Sequence, residues 1–227
     1  MHTDIIRYHP GGEDNLLTGK LVECYREVFA DRPWNEFLKC PECEKYWGHK
    51  DLSELTANQF RHCDVPLIDF WSREQVLTDI VHEITADASC WLSITSSRSG
   101  LTTGAYRVVG FCWGYPITIA ELKEKLGIQF SINGNDGDET VAYQDEVGVS
   151  SPYQGRGIAK SLVHERLKDF LGRGLKFGVV RTRETPEPSV TFSWYTKKLG
   201  YEILARYPGD DGRVILGRSL EGLEKMF

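Results

Sequence analysis

"SSPYQGRGIAKSLVHERL" (Ser150–Leu167) sets two glycines and a small residue, Gly155, Gly157 and Ala159, at the start of a helical pattern. An apolar strand pattern, "TVAYQDEVGVS" (Thr140–Ser150), runs straight into it. A helix N-terminus has unpaired N–H groups and partial positive charge. Glycines let an anion approach that backbone without Cβ interference. Residues Gln154 to Ala159 supply the amides, and Arg156 adds a guanidinium suited to charge-assisted bonds with phosphate. Glycines at such a place also serve close helix–strand packing, and the motif alone leaves both readings open. A Walker A loop would need Gly-Lys-Ser/Thr, which does not follow. A dinucleotide fingerprint would open a βαβ unit near the N-terminus, whereas this motif lies in the second half, behind antiparallel strands.

Working outward, Ala159, Leu162, Val163, Leu167, Phe170 and Leu171 form one apolar stripe, with His164, Glu165, Lys168 and Asp169 on the other faces. Gly172 and Gly174 end the helix. Downstream come a strand at Leu175–Arg183, a helix at Ser189–Tyr201 stopped at Gly200, and a strand at Arg213–Leu220 after "PGDDG". Upstream, Asp4–His9 reads as a strand ended by Pro10-Gly11-Gly12, and Leu16–Ala30 and Ser72–Ala86 as helices. Ser89–Ser97 and Ala105–Ile117 read as an antiparallel pair around the polar turn Arg98–Gly104, followed by a short helix at Ile119–Leu126 and a loop at Asn133–Glu139. Residues Trp34 to Leu67 follow no clear period beyond a short helix at Leu52–Phe60. The order predicts an α/β fold, a mixed sheet with helices on both faces. It forms a single domain over residues 1–227, with a cysteine-containing insertion at about 31–68.

"VGVSSPYQGRGIA" (Val147–Ala159) resembles the acetyl-CoA-binding motif of the GNAT superfamily of N-acetyltransferases, Gln/Arg-x-x-Gly-x-Gly/Ala, here Gln154, Gly157 and Ala159. "WYTKKLGYEIL" (Trp194–Leu204) is similar to the family's second motif, a helix running through Leu-Gly-Phe into a strand. The two span about Ser89 to Leu220, in the family's order and spacing. The resemblance implies the GNAT acyl-CoA N-acyltransferase fold, with a mostly antiparallel mixed sheet. It implies that backbone groups of Val147 and Val149 bind the pantetheine arm of acetyl-CoA, and that Gln154, Gly155, Arg156, Gly157, Ile158 and Ala159 cradle its pyrophosphate.

The implied reaction is direct transfer of acetyl from acetyl-CoA to an unidentified primary amine, on a small molecule or a protein. A protonated amine must lose its proton to a base. By match the candidates are Asp145 and Glu146, which alternation places on opposite faces, and Glu184 at the end of the next strand. The acid candidate is Tyr195, one residue before the family's usual position, which is Thr196 here. The frequent asparagine earlier in that segment is Ser189. These departures leave a second reading open: a catalytically weak GNAT-like module that binds CoA as a sensor or adaptor. Homodimers are a further expectation, since the family's last strands often pair between subunits.

The 227 residues are 41% hydrophobic and 26% charged, an ordinary globular composition. A net charge of -6 argues against general nucleic-acid affinity. No apolar run approaches the ~18 residues of a membrane span, and the first residues lack a secretory pattern, so a cytoplasmic protein is expected. Its six cysteines are then expected as thiols or metal ligands rather than a disulfide framework. Cys40-Pro41-Glu42-Cys43 has a spacing that lets both thiolates reach one zinc ion, with His62 and Cys63 as a second pair. Two reduced thiols beside a proline turn is the alternative. Trp34, Trp47 and Trp71 fall near the region that lines the acceptor pocket in the family, where aromatic walls would hold an amine, or else simply pack.

Overall fold

Alternation in the second half of the chain builds a sheet that is apolar on both sides. In β9 (Thr140–Val149), Val141 and Tyr143 face one way, and in β10 (Phe177–Arg183) Val179 and Val180 face opposite ways. The structure, a computed structural model, describes residues 3–9, 15–96, 106–134, 137–184, 190–209 and 212–223. Around β9 and β10 the other main strands are β1 (Asp4–Arg7), β7 (Ser89–Ser96), β8 (Tyr106–Thr118), β11 (Glu202–Arg206) and β12 (Arg213–Ser219). They form a seven-stranded sheet in the order β1-β7-β8-β9-β10-β12-β11. β1 with β7, β10 with β12, and β11 with β12 pair antiparallel, while β9 with β10 is parallel. The fold is α/β, a mixed and mostly antiparallel sheet with six helices among the described residues.

By contacts the chain divides into two compact units. The first holds Met1–Thr85, Trp91–Phe111 and Val147–Leu162. In it α1 (Asn15–Ala30) packs on α3 (Arg73–Glu83), burying Leu17, Leu21 and Cys24 from one and Val76 and Ile80 from the other. Ser72 caps α3, its hydroxyl accepting from the Gln75 N–H at 3.1 Å. The apolar period of this helix is broader than its buried face: Leu77 and Val81 are exposed.

The second unit holds Ala86–Cys90, Cys112–Glu146 and Val163–Phe227. One sheet face there carries Val141, Tyr143, Val179 and Ile215 against Ile119, Leu122 and Leu126 of α4 (Ile119–Leu126). The opposite face carries Val180, Val214 and Leu216 against Tyr195 of α6 (Val190–Lys197) and Leu199 beyond it. The short helix α4 has its ends written in sequence: Thr118 and Glu121 form a capping box, and Gly127 closes it at φ 64°. The helix expected at Ser189–Tyr201 stops at Lys197, and Gly200, at φ 68°, turns the chain toward β11.

The insertion is more regular than its sequence suggests. It contains the two-residue strands β2 (Leu38–Lys39), β3 (Tyr46–Trp47) and β6 (Ile68–Asp69) in one small sheet, and β4 (Arg61–His62) with β5 (Val65–Pro66) in a hairpin. Its helix α2 (Leu52–Ala57) is shorter than expected. Strands of two residues carry no readable period, which is why they were illegible. The turns at residues 10–12 and 98–104, Ser189, and parts of the loops at 133–139 and 208–212 lie outside the described residues.

Gly114 of β8 shows how tightly the second unit is packed. A Cβ there would overlap the Tyr143 carbonyl oxygen and meet Phe170 Cζ at 3.2 Å. Gly114→Ala is expected to cost roughly 2 kcal/mol, read as a lower urea midpoint with an unchanged slope.

Candidate active site

The chain leaves β9 at Ser150 through a short turn and reaches left-handed backbone at Gly155 and Gly157. Ser150 is buried, its N–H donating to Val109 O at 3.0 Å and its hydroxyl 3.6 Å from Cys24 Sγ. Burial pushes the Cys24 thiol up to about 12, with the Ser150 bond opposing, so this cysteine is a packing residue. A 3₁₀ turn follows at Ser151–Tyr153, with proline in its first positions. The Gln154 amide then donates back to Val149 O at 2.9 Å, and the Arg156 guanidinium to Pro152 O at 2.9 Å, lying 5.4 Å from the Tyr153 ring centroid. Gly155 and Gly157 sit at φ 72° and 80°, a region costly for other residues. Helix α5 (Ile158–Gly172) begins directly after them.

The two readings of these glycines are separable. A Cβ on either Gly155 or Gly157 would meet no atom within 4 Å, so neither is there for close packing. That crowding falls at Gly110 and Gly148 instead. A Cβ on Gly110 would lie 3.2 Å from Ile158 and Leu162, and one on Gly148 2.5 Å from Phe111. The loop glycines thus leave exposed backbone at a helix N-terminus, which suits a phosphate group. Beside it, Ser151 donates to Asp31 at 2.6 Å, and Asp31 lies 3.2 Å from the His49 imidazole. Asp31, Arg32, Asn35, Lys50, Ser151 and Gln154 line a cavity of about 330 Å³.

Pairing of β9 with β10 covers Ala142↔Gly178, Tyr143↔Val179 and Gln144↔Val180. β10 continues in register with β12 as far as Arg183↔Arg213, and β9 continues to Val149. The parallel ladder ends where the candidate carboxylates begin. Asp145 is on the Tyr143 face: its carboxylate accepts from Tyr115 Oη at 2.8 Å, lies 3.5 Å from Lys125 Nζ, and is 6% exposed. The Glu146 residue is half-buried, and its backbone carbonyl accepts from Arg166 at 2.7 Å. Glu184 is held by Arg206 through bonds of 3.0 and 3.2 Å, which set its carboxyl below the usual range.

Arg166 is the residue that sequence reading missed. It is fully buried on α5, donating to Trp113 O and Glu146 O at 2.7 Å each, to Gln144 Oε1 at 3.1 Å and to Tyr195 Oη at 2.9 Å. Its signal was its place: residue 166 falls on the stripe formed by Leu162, Val163, Leu167 and Phe170, all buried. Tyr195 is also fully buried, and its hydroxyl donates to Gln144 Oε1 at 3.0 Å. Burial raises its pKa while Arg166 pulls the other way. Gln144 completes the network by donating to Tyr201 Oη at 2.5 Å.

The other expected site residues divide. Cys40, Cys43 and Cys63 bring their sulfurs within 4.8 Å of one another, close enough to hold a metal ion. The His62 ring stands edge-on to Trp47, 5.1 Å between centroids. Trp47 is buried in the insertion, Trp34 lies against Phe29, and Trp71 donates to Glu36 at 2.7 Å, so each has a packing partner.

A glycine loop at the head of α5, a parallel β9–β10 ladder that stops short, and a helix leading through Leu199-Gly200-Tyr201 into β11 define an acyl-CoA transferase fold. The chain belongs to the acetyltransferase (GNAT) family, whose profile matches residues 21–201. It is similar in fold to Arabidopsis thaliana NAA60 in complex with acetyl-CoA, at 15% identity and a TM-score of 0.53, covering 97% of this chain and 100% of that one. It is also similar to PaiA N-acetyltransferase from Thermoplasma acidophilum in complex with coenzyme A, at 15% identity and a TM-score of 0.51, covering 96% and 99%. No curated protein matches the sequence. Members of the family use acetyl-CoA, and no helix among the described residues is long and apolar enough to cross a membrane.

Replacing Arg166 by methionine would leave two carbonyls, an amide oxygen and a phenol short of a donor inside the protein. Each unsatisfied group costs roughly 1–3 kcal/mol. Arg166→Met is expected to lose at least about 3 kcal/mol in urea unfolding, far more than Lys168→Met on the exposed side of the same helix.

Proposed function

We propose that the protein is an acetyl-CoA-dependent N-acetyltransferase that moves acetyl to a primary amine by direct attack. The observation that carries the reading is the pair of left-handed glycines, Gly155 and Gly157, with no atom where their side chains would be. Backbone N–H groups from Gln154 to Ala159 hold the pyrophosphate of acetyl-CoA at the N-terminus of α5, with Arg156 adding charge. The β9 backbone at Val147 and Val149, beyond the last β10 pair, hydrogen-bonds the pantetheine amides as a neighbouring strand would.

The acceptor arrives mostly as an ammonium and must lose a proton before it attacks. Glu146 is assigned as the base: its carbonyl is anchored by Arg166 while its side chain stands at the end of the paired ladder. Asp145 is assigned a structural role, since its carboxylate is nearly buried and bound by Tyr115 and Lys125. The neutral nitrogen attacks the thioester carbonyl carbon, the C–N bond forms, the nitrogen releases its second proton, the C–S bond breaks, and the departing CoA thiolate takes up one proton, leaving the amide and free CoA thiol. Tyr195 is assigned to position β9 through Gln144, because its hydroxyl is buried and engaged at both sides.

That assignment also favours a second reading, a CoA-binding module without turnover, since it leaves the leaving thiolate no phenolic donor. Titration calorimetry with acetyl-CoA and a thiol-release assay on an amine panel separate the two. Wild-type protein is expected to bind and turn over. Gly157→Glu is expected to weaken binding at least ~100-fold by placing a side chain and a negative charge at the phosphate site. Glu146→Gln is expected to lower kcat by about 100-fold or more with acetyl-CoA affinity unchanged. Tyr195→Phe is expected to keep kcat within about fivefold while losing ~1 kcal/mol of stability. Binding without release on any amine would select the sensor. Intact binding by Gly157→Glu would remove the donor-site reading.

A further inference from the structure

The segment between α1 and α3 has too little apolar material for the shape it takes. Its buried core is Cys40, Trp47 and Leu55, with Phe37, Leu38, Val65 and Leu67 partly buried against them. Yet Asn35, Glu44, Gln59, Phe60, Cys63 and Asp64 all hold left-handed backbone, with φ between 49° and 59°. For Glu44, Gln59, Phe60 and Cys63 in particular such backbone is unfavourable and persists only where the surroundings over-determine it. Strands of two residues over a small core supply only part of that constraint, alongside bonds to α1 such as Arg26 to Asp69 at 2.6 Å.

Two loops in this segment aim sulfur at one point. Cys40 to Lys45 is a tight turn, closed by Cys40 N–H to Lys45 O at 2.8 Å and Glu44 N–H to Cys40 O at 3.0 Å. The second loop is the β4–β5 hairpin, whose two turn residues are Cys63 and Asp64 at φ 49° and 59°. The Cys40 thiol lies 3.7 Å from His62 O, which fixes the hairpin against the first turn. The three sulfurs lie within 4.8 Å of one another. Tetrahedral zinc, with Zn–S of ~2.3 Å, sets sulfurs about 3.8 Å apart. The thiols therefore need close only by about an ångström.

We propose that Cys40, Cys43 and Cys63 bind one zinc ion as thiolates and that this ion cross-links the two loops and holds the insertion in its fold. Three sulfur donors are a soft set that suits zinc. Each thiol loses its proton to solvent on binding. His62 is not a ligand, since its ring is seated on Trp47. Cys43 and Cys63 are exposed, so the fourth position faces solvent and is filled by water.

The test uses the full chain purified with reductant and without chelator. Elemental analysis is expected to find about one zinc per chain, and replacement by Co²⁺ to give the visible bands of tetrahedral cobalt and a sulfur-to-cobalt charge-transfer band. Cys43→Ser and Cys63→Ser replace exposed residues and are expected to fold, with at least ~100-fold weaker zinc binding. Chelation is expected to lower Tm and expose the segment around residues 40–63 to trypsin, both reversed by zinc. The proposal is overturned by a reduced protein that retains no metal, shows no cobalt–sulfur band, and has the same Tm and proteolysis with or without zinc. A Cys43–Cys63 disulfide in metal-free protein purified without reductant would overturn it as well.

Discussion

A single guanidinium organises the centre of the second unit. Arg166 brings a charge into a fully buried position, which costs several kcal/mol unless its donors find acceptors, and of its donors only Nε is left without one among the described residues. Among the described residues no carboxylate bonds it directly. Two backbone carbonyls, a carboxamide and a phenol do so instead, drawn from β8, β9 and α6. Such a set of acceptors tolerates little displacement of any member. It therefore fixes β9 at Gln144 and Glu146, the residues at which the parallel ladder to β10 ends. A polar network of this kind adds little net stability over an apolar core, but it specifies where each element must sit.

Glycine does two different jobs in the sheet and the loop. At Gly114, Gly148 and Gly178 a side chain would strike a neighbouring strand or core residue, so these positions allow elements to approach closely. At Gly155 and Gly157 there is nothing to strike, and the requirement is the sign of φ. The first kind serves packing, while the second shapes a backbone surface. This is what links a stretch of sequence to an anion-binding surface and, in a GNAT-family chain, to the acyl donor. The insertion poses a different problem, in which many left-handed turns surround a small core.

Much of the fold was legible because its signals are local. The apolar stripe of α5 and the strand pattern of β9 are each set by near neighbours along the chain. The glycine loop was legible for the same reason, since Gln154 to Ala159 are contiguous. The surroundings of the candidate carboxylates and of Tyr195 were not. Asp145 and Glu146 differ by what reaches them from Tyr115, Lys125 and Arg166, which are distant in sequence. Tyr195 matched a family position roughly, but its burial depends on Gln144, Arg166 and Tyr201. In the insertion, strands too short to show a period concealed two small sheets.

By itself the sequence determined the α/β class and the strand–glycine loop–helix unit, because periodicity and backbone freedom are properties of neighbours along the chain. The tertiary structure decided the rest: that Arg166 is the buried keystone rather than a surface charge, that Tyr195 is sealed from solvent, and that the sulfurs of Cys40, Cys43 and Cys63 come within 4.8 Å of one another while the His62 ring packs on Trp47. Those outcomes turn on burial and on distances between residues far apart in the chain, which only the packed fold sets.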